Sequence, residues 1–292
     1  IYSKLIEHLE CGCRKRTSST DTYPVVLKTE VLQEKGGWTN RDIVDAFESY
    51  AEACFRGLGD KVDSWITINE PFCITYLGYY YGEHAPGHHD LDETIAAIHH
   101  VNLAHGRSVR IYRKLGLKAP IGITWNLSTP RPYDNSPSSR KAAEYAIAVK
   151  SRVFTDPVLK GVYPAITGEL GFRFPVKDGD MEIISQPIDF IGMNYYSEDA
   201  VVYSETNPFR FSVAPDWHPV TDMGWPIVPD GLLRQLRWIS SESGNMPLYI
   251  TENGSAEKDE LTADGRVHDA ARIDYLRKHF KAAAEAIGEG IN

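Results

Sequence analysis

The sequence predicts an α/β fold built around a parallel sheet, and three observations carry that expectation. Four short apolar runs rich in β-branched and aromatic residues lie along the chain: VDSWITI at Val62–Ile68, PIGITW at Pro120–Trp125, IDFIGM at Ile188–Met193 and LYIT at Leu248–Thr251. Each is nearly continuous rather than alternating, as in strands covered on both faces, and each is followed by polar residues. Helical patterns fill the intervals, and this alternation of strand and helix is the mark of βαβ units with right-handed crossovers.

Taken in order, Ile1–Glu10 is an amphipathic stretch carrying Lys4, Glu7 and Glu10, unlike a signal peptide. Cys11–Thr22 (CGCRKRTSSTDT) has no period and reads as a solvated loop, and Tyr23–Thr29 reads as a short edge strand. Arg41–Leu58 places Ile43, Phe47, Tyr50, Cys54 and Leu58 at helical steps, with Asn40 as N-cap and Gly57 and Gly59 ending the run. Asp92–Leu115 is helical and stopped by Gly116; Ser139–Thr155 is helical and stopped by Asp156-Pro157. The Pro-rich stretch Thr129–Pro137 reads as a loop, and Tyr203–Trp225 as a long irregular loop rich in aromatics. In Ala270–Ile287 the residues Ile273, Leu276, Phe280, Ala284 and Ile287 form one stripe, ended by Gly288 and Gly290. No shift of composition marks a linker, so residues 1–292 are read as a single domain.

Composition bounds the function. With 42% hydrophobic and 24% charged residues the chain is an ordinary globular one, neither disordered nor coiled coil. Its 40 acidic against 31 basic side chains give a net charge of −9. That charge repels a phosphate backbone, which argues against nucleic acid as a partner. No uncharged apolar run approaches the ~20 residues that span a bilayer, so no membrane role is expected. The four cysteines, Cys11, Cys13, Cys54 and Cys73, are too few for a disulfide framework and suit a reducing, cytoplasmic setting. Cys11 and Cys13 lack a second ligand cluster. His84, His88, His89, His99, His100 and His105 give no HExxH-type spacing and read as solvated or core histidines. No phosphate-binding glycine loop is present, so neither a metal nor a cofactor is expected. Self-association is left open.

The chemistry concentrates in WITINEP (Trp65–Pro71) and YITENG (Tyr249–Gly254). Each ends a predicted buried strand with an uncharged polar residue and then a glutamate, Glu70 and Glu252. Ligands of parallel α/β folds bind beyond the C-terminal ends of the strands, so the two carboxylates are expected on one rim. A pair of carboxylates facing one pocket suits glycoside hydrolysis, one as general acid, the other attacking the anomeric carbon or activating water. The plainer reading is that each glutamate caps a helix or meets solvent.

TINEP at Thr67–Pro71 and ITENG at Ile250–Gly254 resemble the two signature motifs of glycoside hydrolase family 1, the retaining β-glucosidase family. The similarity continues through LQEKGGW (Leu32–Trp38), GEHAPG (Gly82–Gly87), HHVNLAHG (His99–Gly106), DPVLKGVYP (Asp156–Pro164), DFIGMNYY (Asp189–Tyr196) and TDMGWPIVPDGL (Thr221–Leu232), in order and spacing. The resemblance implies a (β/α)₈ TIM barrel acting on a β-glucoside or oligosaccharide by double displacement. It implies Glu70 as acid/base and Glu252 as nucleophile. It further implies Asn69 on the sugar 2-hydroxyl, Asn194 lining the pocket, Tyr196 orienting the nucleophile and Trp225 on the aglycone side. Trp225 is also readable as loop packing, and Asn194 as a partner for buried backbone.

The strand centres lie about 61 residues apart, against ~31 per unit in a compact barrel. Aligned by motif, the chain therefore holds a partial barrel: strands 4–7 clear, strand 3 aberrant, and strands 1, 2 and 8 missing. Cys11–Glu30 lacks the His-containing motif that the resemblance implies for strand 3. The alternative expectation is accordingly an inactive portion of such an enzyme with residual sugar or partner binding.

Overall fold

The computed structural model describes residues 30–292. The expectations for Ile1–Glu10, for Cys11–Thr22 with Cys11 and Cys13, and for Tyr23–Thr29 lie outside the described residues. Helix α1 (Glu30–Glu34) leads through a 3-10 turn (Gly37–Thr39) into α2 (Asp42–Leu58). There follow β1 (Trp65–Asn69), a π-helix (Cys73–Tyr80), α3 (Leu91–Lys114) and β2 (Ile121–Trp125). Next come the two-residue β3 (Arg131–Pro132), α4 (Pro137–Ile147), a π-turn (Ala148–Arg152), α5 (Val153–Lys160) and α6 (Asp180–Ile184). The chain continues through β4 (Phe190–Asn194), β5 (Ala200–Tyr203), β6 (Phe211–Val213), α7 (Pro229–Ser243), β7 (Leu248–Glu252) and α8 (Ala270–Gly288).

The four predicted strands are β1, β2, β4 and β7, and they form one sheet in that order, every neighbouring pair parallel. β2 and β4, at the centre, are buried at every residue, while β1 and β7 at the edges are not. Register brings the C-terminal ends level: Asn69 pairs with Thr124, Trp125 with Met193, and Asn194 with Glu252. Gly122 and Gly192 allow this closeness, since a Cβ on Gly192 would lie 2.1 Å from Thr124 Oγ1 and one on Gly122 2.4 Å from the Phe190 carbonyl oxygen.

Capping follows the sequence. The Asp90 side chain accepts from Glu93 N–H at the start of α3, and Ser136 accepts from Ser139 N–H at the start of α4. The N-cap position of α2 falls on Arg41 rather than on the expected Asn40, which lies two residues ahead of the helix, yet Asn40 Oδ1 accepts from Asp42 N–H at 3.0 Å.

Three expectations are corrected. The predicted stop at Asp156-Pro157 is no stop: Pro157 lies inside α5. The proline lacks the N–H that would bond the Val153 carbonyl, and the buried Asn102 of α3 donates to that carbonyl instead, at 2.9 Å. Tyr203–Trp225 is not wholly irregular, because β6 pairs antiparallel with β5, and β5 pairs with β3 from the Pro-rich stretch, in a second small sheet. Finally, the stripe on α8 is not its buried face. Tyr275, His279, Ala282 and Ala286 are buried, whereas Ile273, Phe280 and Ile287 are exposed. α8 packs on α7, and among the described residues no strand lies beyond β7 to cover the other face. Among the described residues no helix is long and apolar enough to cross a membrane.

The buried histidines sit in the core. His99 bonds Tyr163 and Asp180, His100 bonds the Trp38 carbonyl, and His105 bonds Thr67 Oγ1 at 2.6 Å. Burial pushes His105 down to about 3 and His100 down to about 4.

Two predictions follow from this packing. Asn102→Leu leaves the Val153 carbonyl without a donor and lowers unfolding free energy by about 1–3 kcal/mol, measured by urea denaturation. The depressed histidines bind protons in the unfolded chain first, near pH 6.5. Their contribution to stability is therefore complete above that pH and is lost as pH falls toward 4 and then 3. Urea midpoints measured across that window will decline, and less steeply in His105→Gln.

Candidate active site

The site is assembled at the C-terminal end of the large sheet, where a parallel α/β fold presents its ligands. Asn69 ends β1 and Glu70 follows it; Asn194 ends β4; Glu252 ends β7. Glu70 has φ 51°, a left-handed conformation that non-glycine residues rarely adopt. Its N–H donates to the Thr124 carbonyl at 3.0 Å, and its own carbonyl accepts from Cys73 N–H at 2.9 Å. The turn behind β1 is thus tied to β2 and to the π-helix, and it aims the side chain over the sheet.

Asn194, nearly fully buried, joins three strands. Its Nδ2 donates to Glu70 Oε1 at 2.9 Å and to Asn69 Oδ1 at 3.1 Å, while its Oδ1 accepts from Thr251 Oγ1 at 2.6 Å. A carboxylate only accepts, so the amide orientation is set by Glu70. Asn69 Nδ2 makes no hydrogen bond among the described residues and remains available to a ligand.

Glu252 Oε2 accepts from the Tyr196 hydroxyl at 2.5 Å. The main chain of Tyr196 is fixed in turn: its carbonyl accepts from Tyr275 of α8 at 3.0 Å, and Asn253 Nδ2 donates to the Tyr195 carbonyl at 2.8 Å. The two tyrosines of NYY diverge, for Tyr195 is buried and its hydroxyl donates to the Val228 carbonyl. Burial first, then the hydrogen bond and charge of Glu252, then the charge of Glu70, push the Tyr196 phenol up. Both carboxylates also push up the Cys73 thiol, after burial. Glu70 and Glu252 therefore act on the same two side chains. Trp225, partly exposed, stands over Tyr196 with ring centroids 5.6 Å apart. All six residues singled out in the sequence thus gather at this rim.

Sequence reading missed Cys73, Asn126 and Thr251. Cys73 Sγ donates to Glu70 Oε2 at 3.3 Å and accepts from Asn126 Nδ2 at 3.3 Å. The signal was present for Asn126, the polar residue immediately behind β2, which stands as Glu70 stands behind β1. No group of three or more potential metal ligands occurs among the described residues.

A parallel sheet whose strands stand in chain order, joined by crossover helices and carrying a carboxylate pair at its strand ends, is the arrangement found in part of an α/β barrel. A family model described as Glycosyl hydrolase family 1 matches residues 28–292, and the chain belongs to that family. Beta-glucosidase A of Acetivibrio thermocellus is 40% identical over 268 residues, covering 89% of this chain and 60% of that protein. The crystal structure of a GH1 β-glucosidase from Exiguobacterium antarcticum B7 superposes with a TM-score of 0.87 at 39% identity, covering 90% of this chain and 60% of that one. The β-glucosidase of Thermotoga maritima in complex with deoxynojirimycin gives a TM-score of 0.85 at 38% identity, with 90% and 60% covered. The chain thus spans about 60% of the length of the relatives it matches.

The left-handed backbone at residue 70 is testable without substrate. Glycine adopts φ near 51° freely and alanine does not, while neither carries the carboxylate. Glu70→Gly is therefore expected to unfold at higher urea than Glu70→Ala, by about 1 kcal/mol.

Proposed function

We propose that the chain hydrolyses β-glycosidic bonds with retention of configuration. The observation that carries this reading is the pairing of unlike environments for two carboxylates on one rim. Glu252, held by the Tyr196 hydroxyl, attacks the anomeric carbon and forms a glycosyl-enzyme. Glu70, held by Asn194, first protonates the leaving oxygen and then, as a carboxylate, takes a proton from the incoming water. The phenolic hydroxyl donates to Glu252 Oε2 and so fixes the orientation of the attacking carboxylate. The free Asn69 amide nitrogen is placed to donate to a sugar hydroxyl, and Trp225 offers an apolar face to a ring on the leaving-group side. The substrate class is a β-glucoside or short oligosaccharide, in keeping with the relatives named β-glucosidase. No cofactor enters the scheme, and a cytoplasmic setting fits the acidic, cysteine-poor chain.

A second reading has one observation in its favour. β1 and β7 are edge strands of the large sheet, so among the described residues no strand closes the sheet between them. The chain would then hold the carboxylates and bind sugar weakly without turnover.

Hydrolysis of an aryl β-glucoside separates the two. The first reading expects turnover giving the β-anomer as first product by NMR. It expects kcat lowered ~10²–10⁴-fold in Glu70→Gln, and activity abolished in Glu252→Gln. A folded chain without turnover, or one whose activity survives Glu252→Gln, refutes it.

A further inference from the structure

The two oxygens of Glu70 have partners of different kinds. Oε1 accepts from the amide of Asn194 at 2.9 Å, and Oε2 from the thiol of Cys73 at 3.3 Å. Cys73 opens the π-helix, and its own N–H donates to the Glu70 carbonyl at 2.9 Å. Residue 73 therefore holds Glu70 by main chain and side chain together. π-Helical turns are rare and concentrate at functional sites.

An amide NH₂ can only donate, so Oε1 stays an acceptor in both states of Glu70. When Glu70 carries a proton, that proton sits on Oε2, where its neighbour is the thiol. A thiol can both donate and accept. We propose that Cys73 is a positioning residue that follows the Glu70 proton. Its S–H donates to Oε2 while Glu70 is a carboxylate, and its sulfur accepts from Oε2–H when Glu70 is an acid. The exchange needs rotation about Cβ–Sγ alone: no bond forms and no electron moves. Asn126, donating to the same sulfur at 3.3 Å, holds it in place in either state. Cys73 keeps its own proton throughout. Burial, then the negative charge of Glu70, push the thiol up, with the Asn126 bond opposing and Glu252 adding. A group that alternates between acid and base thus keeps a partner in both forms.

The inference rests on Glu70 being the acid/base group, and its first test needs no turnover. Infrared spectra of the full chain resolve S–H stretching bands, and the difference from Cys73→Ser assigns the Cys73 band. We expect that band to rise in frequency as pH falls through the Glu70 titration, because the thiol stops donating. It should stay constant with pH in Glu70→Gln. A Cys73 band that ignores pH in the wild type, or that moves equally in Glu70→Gln, overturns the inference whether or not the chain is an enzyme. Where turnover is measured, Cys73→Ser keeps kcat within about threefold, whereas Cys73→Val, similar in volume but without a hydrogen bond, loses roughly 10-fold with KM little changed. A packing role reverses that order, with Val the better tolerated, and also refutes the proposal.

Discussion

The arrangement of the rim depends on the side-chain amide of Asn194. It is nearly fully buried at the end of β4 and bonds Asn69 at the end of β1, Glu70 behind it and Thr251 on β7. A buried amide must satisfy both its donors and its acceptor, or each unmet group costs about 1–3 kcal/mol. Here that requirement can be met only when three strands are in register. The same constraint that completes the amide therefore brings the two catalytic candidates to one face. Asp in its place would meet Glu70 with a second acceptor, and an aliphatic residue would leave Glu70 Oε1 and the Thr251 hydroxyl without the partners they have here.

Around that amide the supports are layered outward. Tyr196 bonds Glu252, Tyr275 of α8 bonds the Tyr196 main chain, and Asn253 bonds Tyr195 beside it. On the other side Cys73 bonds Glu70 and Asn126 bonds Cys73. The loop after β4 is anchored by the buried Glu198, which bonds Arg234 of α7 and lies 3.8 Å from Arg131. Supports of this kind hold catalytic geometry, because a side chain is only as well placed as the groups that bond it.

Much of this was legible in sequence, and where reading failed the cause is physical. The four strands were readable because each is a short, nearly unbroken apolar run, although only β2 and β4 are buried at every residue and Tyr249 and Ile250 of the edge strand β7 are exposed. The strand-end positions of Glu70 and Glu252 were readable because each closes such a run. α5 was not readable through Pro157, because the group replacing the lost donor, Asn102, lies far away in sequence on α3. β6 was missed because a three-residue strand has no period to detect. The stripe on α8 misled because periodicity reveals an apolar face without saying which neighbour, if any, covers it; the face that packs is the one carrying Tyr275 and His279.

Alternation of apolar runs and helical stripes is a local property, so the parallel α/β architecture and the strand ends that carry Glu70, Asn194 and Glu252 could be read from the amino acids in order. Which oxygens and nitrogens meet is not local. The Asn194–Glu70 bond joins residues 124 positions apart and the Tyr196–Glu252 bond residues 56 apart. Those partnerships, the left-handed turn at Glu70 and the thiol at its second oxygen arise when the sheet aligns β1, β2, β4 and β7. Hydrogen bonding is a matter of ångströms and angles, and sequence carries neither until the chain has folded.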